Sequence, residues 1–145
     1  MRWTRCGTAA LGVTTALLVT SCAGAVEDAS HVIENAPASI ETIDGSDLVR
    51  VTLTEQAAER IDVQTTPVEQ GADGLVVPST AVFVDTEGVW WVYTTPEPLA
   101  FVRHEIGLVR QDGGFSYLSS GPPVGTQVVT VGVAELSGSE AEIGH

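Results

Sequence analysis

The chain has few positive charges and no lysine. Its 145 residues include nineteen acidic and six basic residues, and all six basic residues are arginine. The formal net charge is −13 at neutral pH. A protein that binds nucleic acid through the phosphate backbone needs clustered cations. We therefore expect no nucleic-acid partner.

Cysteine and methionine are almost absent. The chain has two cysteines, Cys6 and Cys22, and its single methionine is the initiator. Cys6 lies in a segment that we expect to be removed, which leaves one cysteine and no intramolecular disulfide. Soft metals need Met or Cys ligands, and zinc needs three or four ligands. The three histidines are far apart in the sequence, so we expect no metal and no other cofactor.

No apolar run has the length of about 20 residues that a membrane-spanning helix requires. The apolar stretch CGTAALGVTTALLVT instead follows the cationic start MRWTR, which is typical of a secretory signal. The sequence VTSC that ends at Cys22 is similar to the bacterial lipobox, whose cysteine becomes the lipidated first residue. We predict a lipoprotein signal peptide over residues 1–21 and acylation, such as by palmitate, at Cys22. The protein would then be anchored on the extracytoplasmic side of the cell membrane; a plain secreted protein is the alternative.

Residues 22–47 have a composition that differs from the rest of the chain. They are rich in alanine, serine and acidic residues, contain Pro37, and follow neither the period of a strand nor that of a helix. We predict a flexible acidic linker here. Without the signal peptide, the chain would keep all nineteen acidic residues and four arginines, a net charge of −15.

Short strands separated by turns fill the region that follows. The segment LVRVTL alternates between apolar and polar residues, as a half-buried strand does. Thr54 is suited to cap a helix over TEQAAER. Turn signals such as TEG, QDGG and GPPVG then recur about every ten residues. We predict a mostly β fold over residues 48–136, a small β-roll or barrel with one short helix near 55–60, and a C-terminal tail over 137–145.

The stretch EGVWWVYTT places two tryptophans side by side in a predicted strand. Because strand side chains alternate between faces, Trp91 and Tyr93 project to one side and Trp90 to the other. Two interpretations follow. Either the rest of the chain covers both faces, or one exposed ring anchors a partner, since Trp is enriched at interface hot spots. Trp90, Trp91 and Tyr93 are therefore the candidate partner-contact residues.

We find no catalytic signature in the sequence. His104 and Glu105 are adjacent, but alternation puts them on opposite faces of a strand, and no spaced histidine or cysteine supports a metal site with them. Ser119 and Ser120 precede the turn GPP and lack the G-x-S-x-G pattern of a nucleophile elbow. We predict that the protein is not an enzyme.

Four segments, taken in order, resemble the periplasmic adaptor subunits, also called membrane fusion proteins, of RND-type and related efflux pumps. The segments are VTLTEQAAERIDVQTTPVE, VPSTAVFVDTEGVWWVY, FVRHEIGLV and SSGPPVGTQVVTVGVAEL. The resemblance spans roughly residues 48–145. Adaptors run outward from a membrane-proximal domain through lipoyl-like and helical-hairpin domains, and then return. Here only QGADG and a few neighbours separate the two halves, so the resemblance implies a short form without those distal domains.

The resemblance also implies a function. It suggests a β domain like the membrane-proximal domain of adaptors, in a lipid-anchored accessory subunit that docks to an inner-membrane exporter of RND or ABC type. It leaves a homo-oligomer open and does not identify the exported substrate. One alternative is an envelope lipoprotein that binds a small ligand in a β-barrel pocket lined by aromatic residues. Another is a relic of a longer adaptor gene.

Overall fold

The computed structural model describes residues 36–143 of the chain. The predicted signal peptide, Cys22 and residues 22–35 of the predicted linker lie outside the described residues. The elements in chain order are β1 (Ala38–Thr42), β2 (Val49–Leu53), α1 (Glu55–Arg60), β3 (Gln64–Pro67), β4 (Glu69–Gly71), β5 (Gly74–Pro78), a 3-10 turn (Ser79–Ala81), β6 (Phe83–Val84), β7 (Trp90–Glu97), β8 (Ala100–Glu105), β9 (Gly107–Asp112), β10 (Phe115–Ser120), β11 (Gln127–Val131) and α2 (Val133–Ile143).

The strands form two antiparallel sheets. The larger sheet has seven strands in the order β1-β2-β8-β7-β11-β3, with β6 paired to β7. The smaller sheet has four strands in the order β4-β5-β10-β9. The first part of the chain is interleaved with the last part, because β2 pairs with β8 and β3 with β11.

The chain passes from the larger sheet to the smaller one at two buried residues, and it returns through residues 79–82 and 121–126. Val68 separates β3 from β4, and Ile106 separates β8 from β9. Both side chains are buried in the hydrophobic core that lies between the sheets. Because neither Val68 nor Ile106 can move to solvent without exposing apolar surface, these two connections hold both sheets against the same core.

Two hydrophobic cores hold the fold together. The first core lies between one face of the larger sheet and the two helices, and its buried residues are Ala38, Val51, Leu53, Ala57, Tyr93, Phe101, Val129 and Leu136. The second lies between the sheets, and its buried residues are Val68, Val77, Ala81, Val92, Ile106, Leu118 and Val128. The larger sheet therefore has both faces covered in its centre.

The predicted mostly β fold and the predicted short helix are confirmed. Helix α1 begins as the sequence indicates, because the Thr54 hydroxyl accepts a hydrogen bond of 3.2 Å from the backbone N–H of Ala57. Glu55 lies in the first turn, where a carboxylate is favoured by the helix dipole. Ala57 is the buried residue of this helix and packs in the first core.

Of the two predicted forms, a β-roll or a barrel, the closed barrel is not formed in the part of the chain that the structure describes. Over residues 36–143, each sheet is open, with β1 and β3 at the edges of the larger sheet and β4 and β9 at the edges of the smaller one. The strands change sheet instead of closing one sheet on itself. Turn spacing alone does not distinguish these outcomes, because it is the same for a barrel and for two packed sheets.

The predicted linker is wrong for residues 38–42, which form β1. This strand pairs with β2 over five residues, from Ala38 opposite Leu53 to Thr42 opposite Val49. Ala38 is buried and Ile40 packs against the first core. Two alternating apolar residues were too weak a pattern to predict a strand, but pairing with β2 supplies the missing stabilisation.

The predicted C-terminal tail is likewise wrong, because residues 133–143 form helix α2. Leu136 is fully buried in the first core, and Val133 packs against the same core. Small and acidic residues dominate this segment, so its apolar stripe is narrow. Within residues 36–143, neither helix has the length and hydrophobicity needed to cross a membrane.

Candidate functional site

The two faces of β7 are both covered by other parts of the chain. Tyr93 is buried in the first core, whereas Val92 is buried in the second and Trp90 packs against it. Trp90 and Trp91 are each half-buried. The adjacent tryptophans are thus accommodated by a sheet with a core on each side.

Trp91 is held by two polar neighbours. Its indole Nε1–H donates a hydrogen bond of 2.7 Å to Oδ2 of Asp85, which lies in the turn between β6 and β7. The guanidinium carbon of Arg103, on the neighbouring strand β8, lies 4.6 Å from the centre of the Trp91 ring. This distance is suitable for a cation–π interaction. Both contacts fix the orientation of the ring.

Asp85 organises the turn that precedes β7. Its Oδ1 accepts hydrogen bonds of 2.9 Å from the backbone N–H groups of Glu87 and Val89. The hydrogen bond from the Val89 N–H is the main cause that lowers the pKa of the Asp85 carboxyl, and the bond from the Trp91 indole is the next. Desolvation acts in the opposite direction and raises this pKa. The carboxylate is therefore the form that this turn stabilises.

Tyr93 links the sheet to helix α2. Its hydroxyl donates a hydrogen bond of 2.6 Å to Oε2 of Glu140, and its ring stacks on Phe83 with centroids 5.0 Å apart. Burial, and then the bond to Glu140, raise the pKa of the Tyr93 hydroxyl above its usual value. Because Tyr93 is only 1% exposed, its prediction as a partner contact was wrong.

Glu140 also faces Arg103. The Arg103 Nε atom lies 3.2 Å from Oε1 of Glu140, close enough for an ion pair, although the N–H does not point along a hydrogen bond. Arg103 is thus positioned between the Trp91 ring and the Glu140 carboxylate. Each polar group of this cluster (Asp85, Tyr93, Arg103 and Glu140) contacts another side chain of the site or the backbone. The cluster therefore links β7, β8 and α2.

An open cleft of about 420 Å³ lies beside this cluster. Carboxylates of Asp47, Asp85 and Glu140 line it together with Arg103. Within residues 36–143, no group of three or more His, Cys, Asp or Glu side chains is arranged to hold a metal ion. His104 and Glu105 are exposed near the end of β8, opposite Val92 and Trp91 respectively.

A second surface was missed by the sequence analysis. The smaller sheet packs one face on the second core through Leu75 and Leu118, and its other face is turned away. We call that other face the outer sheet face. It carries Val76, Phe115 and Tyr117, and Phe115 is 46% exposed.

The pattern FSYLSS indicates this surface only if it is known which face of the strand packs on the core. Its alternation places two aromatic rings on one face and Ser116 and Leu118 on the other. Aromatic residues usually occupy the buried face, yet here Ser116 and Leu118 are the buried ones. Ser116 is satisfied there because its hydroxyl bonds to Ser79 and Gln111.

Of the predicted contact residues, Trp90 and Trp91 are half-buried, and Tyr93 is buried. They do not form one patch, because Trp90 lies on the opposite side of the sheet from Trp91 and Tyr93. Partner contact through either tryptophan stays a prediction. No family model and no curated protein matches the chain.

Proposed function

We propose that the protein is a lipid-anchored accessory subunit of a membrane efflux transporter. It is attached to the membrane through Cys22 and docks to the transporter on the extracytoplasmic side. It performs no chemistry of its own. The proposal rests on the resemblance to efflux adaptors together with the arrangement of the two halves of the β domain.

The observation that carries the proposal is the interleaving of these two halves. An adaptor runs outward, returns and finishes beside its start, so strands from its first and last parts must pair. Strand β2 pairs with β8 through Arg50, Val51 and Thr52, and β3 pairs with β11 over four residues. The turn between β4 and β5 is the place where a full-length adaptor would insert its distal domains. A short form joined at this turn would keep the transporter-facing part alone.

The small-ligand alternative is less well supported. It requires an enclosed pocket lined by Trp91, Tyr93 and Phe101. Tyr93 and Phe101 are instead 1% and 2% exposed and pack in the first core. Their rings fill the interior and leave no room for a ligand between them.

Affinity purification from membranes tests the proposal. The full-length chain carries a C-terminal tag in a bacterium that makes it, and membranes are dissolved in a mild detergent. Mass spectrometry is expected to identify a subunit of an RND or ABC transporter with the tagged protein. A tagged unrelated lipoprotein is the control. Recovery of the tagged protein without any transporter subunit would contradict the proposal.

A matched variant tests the anchor separately. Cys22→Ser removes the acylation site and leaves the β domain unchanged. We expect the wild-type protein in the membrane fraction and the variant in the soluble fraction after high-salt washing. Equal membrane recovery of both proteins would show that Cys22 is not the anchor.

A further inference from the structure

The outer sheet face brings aromatic and charged side chains into one row. In the register of the smaller sheet, Tyr117 lies opposite Val76 on one side and Arg110 on the other, and Val76 lies opposite Glu69. Phe115 is two residues from Tyr117 on the same strand and therefore on the same face. Four strands thus present one continuous surface.

Two glycines allow close packing at one end of this surface. Gly71 and Gly74 lie opposite each other where β4 turns into β5. A Cβ atom at Gly71 would lie 2.6 Å from Cγ2 of Val76, and one at Gly74 would clash with the carbonyl oxygen of Leu118. An open cleft of about 460 Å³ lies beside Gly71 and extends to Phe115 and Tyr117. The cleft itself is open, so a side chain from outside can reach its lining residues.

The charge of this cleft is mainly negative. Glu69 and Asp73 line one end and make no side-chain hydrogen bond or ion pair among the described residues. Arg110 is the one basic residue that lines the cleft. Its guanidinium carbon lies 3.5 Å from the centre of the Tyr117 ring, and its Nη1 lies 3.6 Å from Oδ2 of Asp112. The arginine is thus already paired.

We propose that the outer sheet face receives a basic, extended segment of a protein partner. The partner's Lys or Arg stems would lie on Phe115 and Val76, and their charged ends would reach Glu69 and Asp73. Long basic side chains pair an apolar stem with a charged end in this way. The whole chain, at net charge −13, attracts a basic surface over a longer range. This inference rests on the proposed docking function, for which it names the contact face and the chemistry of the partner.

Peptide binding tests the inference directly. The full chain without its signal peptide is titrated with a fluorescent peptide of alternating arginine and leucine, and with a matched peptide of alternating glutamate and leucine. Amide NMR of the labelled protein locates the contact. We expect binding of the basic peptide alone, with the largest shifts at residues 69–76 and 110–117.

Paired variants separate this face from general attraction by net charge. Glu69→Gln with Asp73→Asn removes two carboxylates from the cleft while keeping their shapes. Glu41→Gln with Glu97→Gln removes two exposed carboxylates from the larger sheet. We expect the first pair to weaken binding by about tenfold and the second pair to change it by less than about twofold.

Several results would overturn the inference. The inference fails if the basic peptide does not bind, or if both pairs of substitutions weaken its binding equally. It also fails if the amide NMR shifts are confined to the larger sheet. Phe115→Ser is a further variant at an exposed position, and unchanged binding in this variant would also count against the face. The thermal unfolding midpoint of each variant confirms that it is folded.

The outcome is separable from that of the proposed function. If the Glu69→Gln, Asp73→Asn protein still purifies with the transporter, docking stands but uses another face. If the wild-type protein purifies with no transporter, the proposed function fails whatever the peptide result.

Discussion

At the scale of single residues, the main feature of the molecule is how the aromatic side chains of β7 are packed and hydrogen-bonded. Trp91 is bound to Asp85 and covered by Arg103, and Tyr93 is bound to Glu140. These polar contacts let large rings pack at the edge of a core without an unpaired N–H or O–H. Alternation along the strand was predictable from the sequence, but the partners were not, because Glu140 is 47 residues away from Tyr93.

The first prediction concerns ionisation of Tyr93. Tyr117→Phe leaves Tyr93 as the only tyrosine. Burial raises its pKa in the folded state, so it stabilises the fold fully below the unfolded pKa of about 10, and this contribution falls as the pH rises above that value. We expect tyrosinate absorbance to appear together with loss of the circular dichroism signal. Tyrosinate formed near pH 10 in a protein that is still folded would contradict the contact with Glu140.

The second prediction concerns Asp85. Its lowered pKa means that the carboxylate stabilises the fold above the unfolded pKa, about 3.9, and that this contribution is lost as the pH falls through the lower folded pKa. Asp85→Asn should therefore be less stable than wild type at neutral pH, and the difference should shrink under strongly acidic conditions. Urea unfolding at both pH values measures this.

Asp44→Asn, at an exposed position in the turn after β1, controls for the loss of one negative charge. Tryptophan fluorescence, to which Trp90 also contributes, should change as well, since the variant alters the hydrogen bond to the Trp91 indole. A stability difference between wild type and Asp85→Asn that does not change with pH would show that the turn is not stabilised through the carboxylate.

At the scale of elements, the sequence predicted those with strong local signals and missed those that depend on pairing. Helix α1 was predictable because Thr54, Glu55 and Ala57 occupy cap, first-turn and buried positions. Strand β1 and helix α2 have weak apolar patterns, and each is stabilised by the core built from the middle of the chain. Tertiary contacts override local propensity in such segments.

The third prediction tests the docking of α2. Leu136→Ala removes a fully buried side chain from the first core. We expect a loss of about 2–5 kcal/mol in the free energy of unfolding, measured with urea. The control is Glu135→Ala, an exposed position in the same helix, which should change stability by less than about 0.5 kcal/mol. Similar small effects of both substitutions would mean that residues 133–143 are not part of the core.

The fourth prediction concerns β1. Pairing with β2 should slow hydrogen exchange at the backbone amides of residues 38–42 that point toward β2. The exposed residues 44–47, in the turn that follows, are the internal comparison. Exchange measured by mass spectrometry should be slower in the strand than in the turn. Equal exchange rates in the two segments would mean that residues 38–42 do not form a stable strand and belong to the linker, as their composition suggests.

At the scale of the whole molecule, the fold combines a mainly aliphatic interior with an acidic composition and an outer sheet face that carries two aromatic rings. The mostly β fold was predictable because turn residues recur between short apolar runs. The division into two sheets was not, because it depends on where Val68 and Ile106 carry the chain from one sheet to the other. The outer sheet face was missed for a related reason: only the second core decides which side of β10 is buried.

Photo-crosslinking in intact cells tests docking most directly. A photoreactive phenylalanine analogue replaces Phe115 on the outer sheet face, Val84 beside the cleft near Trp91, or Glu41 on β1, each in the full-length anchored chain. The account predicts an adduct with a subunit of an efflux transporter, strongest from position 115. Folded, membrane-anchored protein that gives no transporter adduct from any of these positions would contradict it.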